Sequence, residues 1–549
     1  MPWIQVPSPL AGGIGPSAAV AALPLAIILV CLGLLGMKVF KAALLALAAA
    51  IILAISVWGM PARLVALAGL QGAAFGMFPV FYIVLATLFL YHITVKGGQF
   101  EIIRASLAGV TPDRRLQALM IAFCFGAFIE GAAGFGAPVA IAGATLVGLG
   151  FRPLYAAGLC LVANTAPVAF GTIGIPIVAL GGVMGLNDAG LMRLSAMVGH
   201  QLPFLSLILP AYLVLIMAGP RRTLEVLPAV AACGVTFASC QWLVSTHLGP
   251  YLPDLLSSLA SMAALLLLLR FWKPRTTFRF DHDASPGGEA RGYAVSQVFR
   301  AWAPYLAMTA MVLLWGIPPV KAALNRATVM VPVAGLDNAI ARVPDAPPSQ
   351  AAAPVPVPAK FKLDYLASGG TAVLVAALAS CLFCGMGGAD AARLLGRTMH
   401  DMRYPALTIA SVLALAYVMN ASGMTTCLGI WFTRAGRLFP FLSPILGWLG
   451  VFLTGSDTSS NILFGGLQKS AASQLGINPI LTAAGNTSGG VMGKMISPQS
   501  LAVACAATGT VGDEGKLLRF TLKHSLLLLF FVSVIVYLQA YYLTWMIPA

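Results

Sequence analysis

Charge is scarce in this sequence. Asp, Glu, Lys and Arg make up 9% of its residues, against about 25% in soluble domains, and the mean hydropathy is +0.91. A chain of 549 residues with 59% hydrophobic side chains cannot hide its apolar surface in a water-soluble core, which excludes a soluble protein. Polar segments are scarce as well. The two plain ones, 273–298 and 319–364, are too short for a soluble catalytic domain, so a membrane part that merely anchors an enzyme is not expected. Clustered ligands are missing: there are six histidines, and no His/Asp or Cys/His group has metal spacing. Cys381 and Cys384 form a CxxC without a second pair and read as small apolar helix residues. No cofactor and no metal are expected. The N-terminus, MPWIQVPSPLAGG, has no basic residue before its first apolar run, so that run is expected to stay as the first span and not to be cleaved as a signal peptide.

What is present is apolar length. Runs of about twenty residues, enough for a bilayer of ~30 Å, lie near 17–36, 42–60, 64–93, 195–219, 225–246, 255–271, 301–318, 366–386 and 521–546. The net charge of +15 gathers in short loops, where the bias of Lys and Arg toward the cytoplasm accounts for it without a nucleic-acid partner. An all-α polytopic membrane protein of about twelve crossings plus two re-entrant hairpins puts most basic residues on one side. Arg434, Arg437 and Lys469 break that pattern. Residues 273–298 are then a cytoplasmic loop, and the Ala/Pro-rich 319–364 an external one, extended and partly disordered.

Against this background the deep polar groups stand out, because a charge at bilayer depth costs a few kcal/mol or more. Segments 116–150, around Glu130, and 438–475, around Asp457, are too long for one crossing and too short for two, which predicts helical hairpins. Segments 153–182, 405–433 and 477–510 carry NTAP, NASG and NTSGG in their middles, which predicts crossings broken into half-helices. Two stretches also match each other. Asn164, Thr165, Gly171 and Pro176 share their spacing with Asn486, Thr487, Gly493 and Pro498, and Gly150–Leu154 corresponds to Gly476–Ile480. A duplicated, inverted-repeat transporter core is expected. Its parts are 1–60, N-terminal helices; 61–185, first repeat core; 186–318, connecting helices; 319–364, the external loop; 365–512, second repeat core; and 513–549, the last helix.

Asn164 and Asn486 are suited to cap half-helices that start inside the membrane and present N–H groups to an anion. Lys494 lies too deep to reach a headgroup easily; it is expected to meet a substrate carboxylate, with an ion pair to Glu130 or Asp457 as the alternative. Glu130, among small apolar residues, is poised to bind and release a proton. Asp457 sits among Ser456, Thr458, Ser459, Ser460 and Asn461, an oxygen-rich setting. The GAAGFGAP glycines follow no strand and lie between apolar flanks, so a nucleotide loop is not indicated.

FIEGAAGFGAPVAI, LVANTAPVAFGTIGIPI, GSDTSSN and NTSGGVMGKMISPQSLAVA resemble the most characteristic stretches of the L-lactate permease family, and the likeness covers most of the chain. The resemblance implies proton-coupled symport of L-lactate, D-lactate, glycolate and other short 2-hydroxy monocarboxylates across a bacterial inner (cytoplasmic) membrane. It also implies kinship with ion transporters built from inverted repeats with re-entrant hairpins. The residues expected to bind substrate are Asn164, Thr165, Ser456, Thr458, Ser459, Asn486, Thr487, Ser488 and Lys494; those expected to couple protons are Glu130 and Asp457. The partners are thus a small monocarboxylate, H⁺ and the lipid bilayer. A Na⁺-coupled carboxylate transporter and a proton-channel subunit of a membrane redox complex are the alternatives. The latter strings ionisable groups along many helices, whereas here they concentrate in two motifs.

Overall fold

The computed structural model describes residues 2–11, 13–33, 35, 37–134, 136–280, 293–343 and 353–548. Residues 281–292 of the predicted cytoplasmic loop and 344–352 of the predicted external loop lie outside these. In a bilayer the backbone has no partner but itself, so the apolar runs become helices. Eleven helical stretches among the described residues are long and apolar enough to cross a membrane, or twelve if Pro153–Ala163 and Val168–Met184, bent by 66°, form one crossing. The chain is a polytopic all-α membrane protein.

Each of the two segments predicted as hairpins folds as two helical arms about a turn. Helical Arg114–Ala118, a π-helical Leu119–Phe125 and helix Gly126–Ala132 make one buried rod. Gly134 and Gly136, at φ 62° and 84°, turn the chain, and Ala137–Gly148 packs back along the rod. In the second, Phe439–Thr454 and Asp457–Gln474 pack together across a turn at Gly455, φ 71°. Each hairpin ends alike: a glycine at positive φ (Gly150, 96°; Gly476, 69°) precedes a helix that opens on Pro153 or Pro479. Such a left-handed position suits glycine, and proline suits the first helical turn.

The helix breaks agree with expectation at two of three places. Asn164 ends the helix Pro153–Ala163, and Thr172, Ile173 and Gly174 follow with left-handed backbone. Gly423, φ 94°, separates Arg403–Ser422 from Met424–Phe432. The third expectation fails: Pro479–Lys494 runs unbroken through Asn486–Gly490, and the break falls at Met495–Ser497, before Pro498–Thr508. The reason is packing. A Cβ on Gly489 would overlap the Pro444 carbonyl, and one on Gly447 would overlap that of Asn486. These glycines therefore serve close helix approach and not unwinding.

The predicted external loop is more ordered at its flanks than expected. Trp3–Ile4 pairs with Ile340–Arg342, which pairs with Val355–Pro356, and Val329–Pro332 pairs with Lys360–Leu363. The β-branched VMVP, which ends on Pro332, and the alternating KFKL form short strands. Elsewhere Arg115, 0% exposed, ties the start of the first hairpin to Asp113 (2.8 Å), Glu225 (2.7 Å) and the carbonyls of Arg222 and Thr276.

Candidate functional site

Two polar clusters sit where the hairpins meet the helices after them. The first is built on Glu130, in Gly126–Ala132 and 3% exposed. Lys494, the last residue of Pro479–Lys494, places Nζ 2.8 Å from Glu130 Oε1. Asn164 donates from Nδ2 to Glu130 Oε2 at 3.1 Å, so both carboxylate oxygens are engaged. Gly171 makes room for the acid, since a Cβ there would come within 2.7 Å of Oε1. A buried carboxylate is tolerated when a cation and further hydrogen bonds satisfy it, and here both are supplied.

A small pocket opens beside this pair, lined by Gly136, Asn164, Thr165, Lys494, Ser500 and Val503, among others. Segments of both sequence halves thus meet in it. Helix Pro498–Thr508 starts at its wall, where Ser497 Oγ accepts from Ser500 N at 3.2 Å. The positive dipole end of that helix joins Lys494 in favouring an anion. Asn164 Oδ1 is buried with no hydrogen-bond partner among the described residues.

The second cluster is built on Asp457, 3% exposed, which follows the helix-capping Ser456. Asp457 Oδ2 accepts from Thr487 Oγ1 at 2.9 Å and from Asn461 Nδ2 at 3.3 Å. Asn461 also bonds Thr487 and the Pro176 carbonyl. Asn486 donates to Asn461 Oδ1 at 2.9 Å and accepts from Gln468 Nε2 at 3.1 Å. Ser488 donates to Gln201 Oε1 at 2.7 Å. The network links the second hairpin to the first broken helix through Asn461 and to the connecting helices through Gln201.

Of the predicted substrate residues, the structure brings Asn164, Thr165 and Lys494 to one pocket, and Asn164 and Lys494 there also bond Glu130. Asn486, Thr487 and Ser488 join the Asp457 network instead, and Ser456, Thr458 and Ser459 do not line the pocket. The predicted capping roles are corrected for both asparagines. Asn164 ends a helix and turns its side chain to Glu130; Asn486 lies inside an unbroken helix and bonds sideways. The half-helix N-terminus at the pocket is that of Ser497, eleven residues beyond Asn486. Asn461, expected in the oxygen-rich setting of Asp457, does bond its carboxylate; Gln468 was missed, although eleven residues after Asp457 it shares the same helix face at 3.6 residues per turn. Gly171 stood out only as part of the repeated spacing, and Gln201 and Ser500 had no such signal.

With that geometry in place, kinship can be assigned. The family model for L-lactate permease matches residues 17–543. An L-lactate permease of Bacillus subtilis (strain 168) is 49% identical over 575 residues, covering 100% of both chains. The glycolate permease GlcA of Escherichia coli (strain K12) is 45% identical over 563 residues, covering 99% of each. Among solved structures, the Alcanivorax borkumensis YdaH transporter aligns over 85% of this chain and 86% of its own at 14% identity, with a TM-score of 0.45. By a family model spanning nearly the whole chain and relatives alike from end to end, the chain belongs to the L-lactate permease family.

Proposed function

We propose that this protein carries L-lactate and related short 2-hydroxy monocarboxylates, glycolate among them, together with protons across a bacterial cytoplasmic membrane. The observation that carries the reading is the buried Lys494–Glu130 pair, 2.8 Å apart, at the wall of a pocket between the two halves. While the pair is closed the site is neutral. A substrate carboxylate that takes over Lys494 leaves Glu130 without its cation. Two carboxylates and one ammonium would then carry a net negative charge through a low-dielectric region, which is strongly disfavoured. Glu130 therefore binds a proton as the substrate enters, and the loaded carrier is neutral. The carboxylate also meets the N-terminus at Ser497, and the substrate hydroxyl donates to the unpartnered Asn164 Oδ1. That assignment replaces Ser456–Ser460, which lie away from the pocket.

Alternating access follows from the two halves sharing the site: one repeat moves against the rest while pocket residues from both stay with the substrate. The proton-channel alternative has no support from the relatives, which are permeases. Uptake of radiolabelled lactate into proteoliposomes, with pH and Na⁺ gradients imposed separately, tests the reading. Accumulation driven by the pH gradient alone is expected. Accumulation that needs Na⁺ and ignores pH would reject Glu130 as the coupling group.

A further inference from the structure

Among the described residues, one buried acid has no partner on either oxygen and belongs to neither cluster. Asp254 stands in the first turn of helix Pro253–Phe271 and is 1% exposed. Neither Oδ1 nor Oδ2 has a hydrogen-bond partner among the described residues. A bare carboxylate so placed, with neither donor nor cation in contact, is far costlier than the neutral acid. It also stands at a particular place. The backbone next to Glu130 presses on it: a Cβ on Gly131 would come within 2.8 Å of the Asp254 Cβ. Glu130 and Lys494 are the charged groups whose fields reach it. The neighbouring helix Leu227–His247 brings the Cys240 thiol near Ser257, one turn along from Asp254.

Three residues before it in the chain, Tyr251 is within electrostatic reach of Asp188 and Asp364. Those acids form a half-exposed ion network with Lys362, at 3.0 Å and 3.4 Å, at the protein surface. Asp254, three residues after Tyr251 in the chain, adjoins the backbone beside Glu130.

We infer that Asp254 is a proton-binding site of the transport cycle, holding the proton that Glu130 receives when substrate frees it from Lys494. The inference rests on the lactate–proton symport reading above. In the step, the O–H bond of the Asp254 carboxyl breaks and one forms on the Glu130 carboxylate. Asp254 then regains a proton from water at the Asp188–Asp364 face. No co-reactant is needed, and the net charge of the two acids and Lys494 is unchanged by the transfer.

The test compares wild type, Asp254→Asn, Asp254→Glu and Glu130→Gln in proteoliposomes. Three quantities are read: lactate accumulation driven by a pH gradient, exchange of labelled for unlabelled lactate at equal pH, and the infrared carbonyl band of a protonated carboxyl. The inference predicts that Asp254→Asn loses accumulation much more than exchange and loses that band, while Asp254→Glu retains accumulation and shifts the band. Wild-type accumulation in Asp254→Asn, or an unaltered band, overturns it. So do equal losses of exchange and accumulation that Asp254→Glu does not restore. If Asp254→Asn fails to fold, the Asp254→Glu band decides, and a band that does not move overturns the inference. Glu130→Gln separates the two layers. Equal loss of exchange and accumulation there rejects the symport reading itself, whereas a split in Glu130→Gln with none in Asp254→Asn rejects Asp254 alone.

Discussion

At the scale of single residues the account turns on Lys494. In Lys494→Met the substrate loses its cation and Glu130 its partner. Breaking a buried pair from one side costs about 3–5 kcal/mol, so transport should vanish and thermal stability should fall. Adding Glu130→Gln removes the stranded acid as well, and the double variant should regain stability without regaining transport. Recovery of transport in the double variant would contradict the role of Lys494. Asn164 is expected to act on selectivity: a net hydrogen bond is worth about 0.5–1.5 kcal/mol. Competition uptake should show Asn164→Ala losing most of its preference for lactate over propionate, which lacks the hydroxyl. The acid, the lysine and the first Asn-Thr pair were legible in the sequence because deep polar residues need a reason. Asp254 was not. In GPYLPDLLSS it follows a proline at a helix start, where an acid is usually a solvated helix-end residue, and nothing local reports its burial.

Among the elements, the hairpins and the break at Gly423 were visible as length and glycine pattern, whereas the second broken helix was misplaced. NTSGG holds both breakers and small residues, and sequence spacing does not say which property tertiary contact will use. The structure uses smallness, with Gly489 against the Pro444 carbonyl. Gly489→Ala should therefore force the second hairpin from its neighbour, at about 1–3 kcal/mol for overpacking. Gly396→Ala, in the helix Gly388–Asp401 with nothing within 4 Å of the new Cβ, should be neutral or slightly stabilising. Thermal unfolding of the detergent-solubilised variants distinguishes them. Equal behaviour would mean that the helix contact at Gly489 is looser than described.

For the molecule as a whole, composition alone made a polytopic membrane protein inescapable, and basic-residue bias suggested how it is threaded. Which segments share a site was not legible, because that depends on contacts between residues hundreds of positions apart. The threading predicts that a cysteine in place of Lys96 is labelled by an impermeant thiol reagent only from the cytoplasmic side, and one replacing Lys362 only from outside. Both side chains are accessible, at 47% and 39% exposure. Labelling of both from one side would overturn the orientation. The central claim is that substrate and Glu130 compete for one ammonium. Its most direct measurement is a structure determined with lactate bound. The account predicts the lactate carboxylate within hydrogen-bond distance of Lys494 Nζ, with Glu130 withdrawn from it. Lactate bound elsewhere, with the Lys494–Glu130 pair still closed, would contradict the account.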